Sequence, residues 1–186
     1  EMCIRDSMKH IYKLLFAFVA VSLLSSCLKA GYDDVANSSE KDMTSVDYTY
    51  RFTYDDVIQE GTANEEVQKD RVCEVVFKKD VETSEENGIK VYTVKISHDV
   101  NSVQKAGPQG KVTKAQLYEM FKEKIAQDGL SKLWVYVNIS EAAIVKPLDG
   151  APTLGKPGDY TQDRRYRVTA ADGSYQDYII RTVKSF

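Results

Sequence analysis

The sequence predicts a mainly β fold, an antiparallel β-sandwich carrying one amphipathic helix, with α+β character confined to its N-terminal part. Three observations predict it. Tyr48, Tyr50, Phe52 and Tyr54 alternate with Thr49, Arg51 and Thr53, the period-two signature of a half-buried strand. Asn87-Gly88 and Asp172-Gly173 each separate two alternating apolar runs, where residues that accept positive φ close a tight hairpin. Helical spacing is convincing only between Thr113 and Gly129.

The elements follow in chain order. Asp55-Asp56 closes the first strand. Val72 to Val81 reads as the second strand and Ile89 to Ile96 as the third, joined through Glu85-Glu86-Asn87-Gly88. Thr83 and Ser84 leave room for a loop longer than two residues. Thr113 and Gln116 then form a capping-box pair that satisfies two orphan N–H groups. Behind it Leu117, Met120, Phe121 and Ile125 fall on one helix face, with Glu119, Lys122, Glu123 and Gln127 opposite. Gly129 suits the left-handed exit. Leu133 to Ile139 is a strand holding Trp134, and Ala142 to Val145 a short one. Pro147 to Tyr160, rich in proline and glycine, is a long irregular loop. Tyr166, Val168 and Ala170 run into the Asp172-Gly173 turn, and Tyr178 and Ile180 return. The expected organisation is an N-terminal part over 46–129 and a sandwich-like part over 130–186, with the seam at Gly129.

Ahead of this lies a leader. In residues 8–26, Lys9 and Lys13 flank an apolar run from Leu14 to Leu24 broken only by Ser22. That run is too short for a ~30 Å hydrocarbon core at ~1.5 Å rise per residue, so it reads as a signal segment. It ends in Leu24-Ser25-Ser26-Cys27, which resembles the lipobox of bacterial lipoproteins. The resemblance implies cleavage before Cys27 and lipidation of its thiol. The implied partner is a membrane and the implied location the outer membrane or cell surface, with a periplasmic face the alternative. Residues 27–45, polar and acidic, read as a flexible tether. Their Asp33-Asp34 is similar to the acidic export signal of Bacteroidetes surface lipoproteins. Residues 1–7 resemble a translated sequencing adapter and are set aside as non-native.

Of the 186 residues, the first 26 hold three of the 25 Lys/Arg and two of the 28 Asp/Glu. The remainder carries 22 basic against 26 acidic residues, a formal charge of −4. That balance argues against a nucleic-acid partner, which calls for a clustered basic face. With Cys3 set aside and Cys27 lipidated, Cys73 stands alone, so no internal disulfide is expected. Alternating with Val75 and Phe77, Cys73 reads as a small buried hydrophobe.

Catalytic chemistry is poorly supplied, and no enzyme activity, cofactor or metal is expected. His98 has no recognisable nucleophile motif around it and reads as a surface residue. Asp55-Asp56, Glu65-Glu66 and Glu85-Glu86 read as solvated turn residues without the spacing of a calcium loop. Gly150 to Lys156 imitates a phosphate loop, but Pro157 replaces the hydroxyl residue and Pro152 removes an N–H donor. The candidate ligand contacts are aromatic. Tyr48, Tyr50 and Tyr54 offer flat faces to a glycan, although packing into the core is the simpler role, as it is for Trp134. Tyr160, in the loop, and Tyr175, beside the last turn, are expected at the surface.

Val135 to Ile139, Asp149 to Gly155, Pro157 to Tyr160 and the Tyr166-Arg167-Val168-Thr169-Ala170-Ala171-Asp172-Gly173 hairpin together carry a resemblance. The run looks like a domain of unknown function common in Bacteroidetes lipoproteins, and its hairpin is similar to cadherin-like and immunoglobulin-like modules. The resemblance implies an immunoglobulin-like sandwich in a surface accessory protein and no catalytic residue. The expected function is a lipid-anchored, non-enzymatic binding protein for glycan or another surface component. The alternatives are a structural or adhesin-like subunit pairing with protein partners, and a hydrolase with an unrecognised carboxylate pair.

Overall fold

The computed structural model describes residues 37–105, 107 and 110–186. The leader, the Leu24-Ser25-Ser26-Cys27 motif and the tether as far as residue 36 lie outside the described residues.

Within them the chain is mainly β, as the alternation predicts: two five-stranded sheets and one α-helix. The strands are β1 (Met43–Ile58), β2 (Glu66–Val76), β3 (Lys78–Glu86), β4 (Ile89–Ser97) and β5 (Val103–Lys105). After helix α1 (Lys114–Asp128) come β6 (Leu133–Ile139), β7 (Ile144–Leu148), β8 (Pro157–Gly158), β9 (Arg164–Thr169) and β10 (Tyr175–Lys184). One sheet has the order β5-β2-β1-β6-β8 and the other β3-β4-β10-β9-β7. All pairs are antiparallel except β4 with β10, which run parallel.

Several boundaries differ from the sequence expectation. The single run from Val72 to Val81 is two strands. At Phe77 the chain leaves one sheet and enters the other, and its N–H bonds back to Tyr48 O at 3.0 Å. The Asn87-Gly88 turn is a two-residue hairpin, with φ of 52° and 78° and Glu86 facing Ile89, so Thr83 and Ser84 belong to the ladder. β1 begins at Met43, inside the expected tether, because Met43 has an apolar site to fill and is buried. The seam at Gly129 separates no sheet from another, since β6 pairs with β1 and β10 with β4. Residues 37–186 form one compact unit.

The core lies between the sheets. Tyr48, Tyr50, Phe52, Cys73, Val75, Leu133 and Val135 fill it from one side, and Val94, Ile96, Tyr166, Val168, Tyr178 and Ile180 from the other. Leu117, Phe121 and Ile125 of α1 join the same cluster. The helix starts as predicted: the Thr113 hydroxyl accepts from the Gln116 N–H, the Gln116 side chain answers, and Gly129 ends it at φ 57°. Met120, placed by spacing on the packed face, is 39% exposed at its margin.

Candidate functional site

The five tyrosines marked as ligand contacts divide sharply. Tyr48, Tyr50 and Tyr54 point inward from β1 and are buried. Tyr160, expected in an open loop, is fully buried. Its N–H bonds to Leu130 O at 2.9 Å, its ring meets Tyr48 edge-on at 6.2 Å, and its hydroxyl lies 3.0 Å from that of Tyr166. The loop folds back over the sandwich edge, and a large ring gains more there than in water. Only Tyr175 of the five is at the surface, 55% exposed.

The outward aromatics that do form a surface come from β6. Because Leu133 and Val135 enter the core, period two sends Trp134 and Tyr136 to the solvent face, correcting the reading of Trp134 as core. Arg51, next along β1 between core residues Tyr50 and Phe52, lays its guanidinium 4.5 Å over the Trp134 ring. Glu74 on β2 fixes that guanidinium through Nε at 2.8 Å. Pro157 of β8 is the register partner of Trp134 on the other side, and a side chain at Gly155 would touch the Tyr136 ring. The phosphate-loop look-alike is thus the wall of this aromatic strip. Gly155 donates its N–H to Val135 O at 2.8 Å.

The opposite sheet carries a second outward ring. The Arg167 guanidinium sits 3.9 Å over Tyr175 while binding Asp177 through Nε at 2.7 Å. Arg165 binds the same carboxylate at 2.7 Å. The Arg167 and Arg165 hydrogen bonds overcome partial burial and hold the Asp177 carboxyl below its ordinary range. Each outer face therefore presents a flat ring braced by an arginine and a carboxylate.

Two acidic or basic groups read as solvated are not. Asp56 is 2% exposed. Its carboxylate takes Arg71 at 2.7 Å, Lys105 at 3.1 Å and the Val112 N–H at 2.9 Å. Burial pushes its pKa up, but those three partners outweigh burial and the net direction is down. A Cβ on Gly110 would lie 2.0 Å from this carboxylate, so only glycine fits where the chain crosses toward α1. His98 is likewise half-buried, boxed by Phe77, Tyr118, Phe121 and Phe186. Among the described residues no group of three or more His, Cys, Asp or Glu is placed to hold a metal ion, and no helix is long and apolar enough to cross a membrane.

Comparison with known families adds one firm assignment. The family model described as DUF5018-related matches residues 72–181. The chain belongs to that family. Its matched span runs from β2 to β10 and includes Trp134, Tyr136 and Tyr175. Among solved structures, a Bacteroides fragilis protein inferred to be secreted is similar over 80% of this chain and 98% of its own, at 28% identity and a TM-score of 0.49. No curated protein sequence matches.

Proposed function

We propose that this DUF5018-related protein is a non-enzymatic, lipid-anchored envelope protein that binds glycan on its outward aromatic surface. The observation that supports binding is the strip made by Trp134 and Tyr136, flanked by Arg51 and Pro157. A flat apolar ring next to fixed N–H donors and a carboxylate acceptor matches a sugar, which shows a C–H face and a rim of hydroxyls. The anchoring half of the reading rests on Leu24-Ser25-Ser26-Cys27, where acyl chains on Cys27 would each contribute about 0.8 kcal/mol per buried CH₂.

Each half has its own test. A glycan array probed with the wild type should return a family of ligands that Trp134→Ala loses. Unaltered binding in Trp134→Ala, with loss in Tyr175→Ala, would move the site to the other sheet. Silence across the array would shift weight to the structural, adhesin-like role. For the anchor, Cys27→Ala should appear in the soluble fraction, and retention in the membrane fraction would sink that claim.

A further inference from the structure

The molecule also has a cleft, different in character from the aromatic strip and independent of the glycan reading. The cleft, of about 250 Å³, is lined by His98, Lys122, Ile125, Ala126, Lys184 and Phe186. Its walls are apolar: buried Ile125 and exposed Ala126 from α1, and the Phe186 ring 4.4 Å from the imidazole of His98. Phe121 fixes that imidazole from beneath at 4.8 Å, and Tyr118 binds Nδ1 through its hydroxyl at 3.1 Å. Nε2 is buried and has no hydrogen-bond partner among the described residues.

The rim is cationic. Lys184 stands over the Phe186 ring at 4.7 Å, and Lys122 reaches Glu119 at 2.6 Å in an exposed pair. The nearest carboxylate to His98 in sequence, Asp99, is occupied by Lys78 at 2.5 Å. Burial and the neighbouring charges of Lys184 and Lys122 hold His98 below its ordinary pKa against the pull of Asp99, in keeping with a positive local potential.

We propose that this cleft binds a small aromatic carboxylate, with its ring against Phe186 and Ile125 and its carboxylate between Lys122 and Lys184. The volume falls below the ~300–1,000 Å³ of drug-sized sites, so it fits one ring with a short side group. No acidic side chain lines the space, so a carboxylate is the group that matches Lys184 and the Glu119-paired Lys122, while a cation meets both ammonium groups head-on.

The test uses the full chain, isotope-labelled, titrated with benzoate, benzyl alcohol and benzylamine while amide and ring resonances are followed. Benzoate should give saturable shifts confined to His98, Lys122, Ile125, Ala126, Lys184 and Phe186. Benzyl alcohol should bind about tenfold more weakly, the loss of both partly exposed ion pairs, and benzylamine not at all. Lys122→Gln with Lys184→Gln should weaken benzoate about tenfold at an unchanged melting temperature. Ala126→Leu, which leaves both charges in place, should block it by filling the cleft. Equal binding of the three probes, shifts elsewhere in the protein, or benzoate binding that survives both variants overturns the proposal. None of those results touches the glycan reading, which depends on Trp134.

Discussion

Near Met43, β1 is surrounded by phenol hydroxyls, whereas near Ile58 it buries a charged carboxylate. At the first end Tyr178 Oη accepts from the Met43 N–H at 3.2 Å and donates to Lys41 O at 2.9 Å, and Tyr92 donates to Met43 O. Tyr48 meets Thr182 at 2.8 Å, and Tyr166 donates to Pro152 O at 2.8 Å. All of these groups are neutral. Burial is the chief reason the Tyr48 and Tyr166 pKa values rise far above the ordinary phenol range. At the second end Asp56 needs two cations and a backbone N–H to sit in the same strand. Neutral hydroxyls knit the two sheets with little desolvation cost. The charged cluster costs more and does a different job: it pins the crossing at Gly110–Val112 that delivers α1 to the core.

The contrast can be broken in order of size. Asp56→Ala removes the carboxylate that Arg71, Lys105 and the Val112 N–H share in the buried cluster and should cost about 3–5 kcal/mol in urea denaturation. A loss comparable to a surface substitution would mean the cluster is hydrated. Tyr166→Phe removes one hydroxyl from Tyr160 and Pro152 and should cost about 1–3 kcal/mol. If it exceeded Asp56→Ala, the ranking of the two ends would be reversed.

Acid titration separates the groups by pH. Because the folded His98 pKa lies below its ordinary value, the unfolded chain binds a proton first. Stability should therefore fall as pH drops from about 6.5 toward the folded value, and His98→Phe should remove that step. Asp56 and Asp128, whose folded pKa values are lowered, contribute stability that is kept above the ordinary carboxylate value and lost only below it. Melting temperatures of wild type and His98→Phe from pH 8 to 3 would display both steps. The smallest effect is chemical: burial pushes the Cys73 thiol up to about 11, so a thiol reagent at pH 8 should label it only on unfolding. Rapid labelling of the folded protein would show that the centre of the sandwich opens.

Parity along strands accounts for most of what the sequence disclosed and part of what it hid. The Tyr48-Tyr50-Phe52-Tyr54 alternation continues to Asp56, and Val94-Ile96 continues to His98, so both polar residues were marked for the interior. Residue type argued the other way, since carboxylates and imidazoles are rarely buried without partners. Those partners, Arg71, Lys105 and Phe121, come from strands and a helix far along the chain. In β6 the pattern is ambiguous in itself. Leu-Trp-Val-Tyr-Val is apolar on both faces, and only the pairing with β1 decides that Trp134 looks outward. The capping box, the Gly129 exit and both hairpin turns were legible because their chemistry is local. Burial of Tyr160 was not, because it depends on how a proline-rich loop closes over the sheet edge.

β10 lies in the middle of its sheet, with β4 on one side and β9 on the other, and its parallel partnership joins Tyr178 to Lys90 and Lys184 to Ile96. A parallel pair has no hairpin to nucleate it and must close a long loop before any contact rewards it. Folding should therefore be slow and governed by the arrival of residues 175–184, which leaves the β3–β4 hairpin waiting with an open edge.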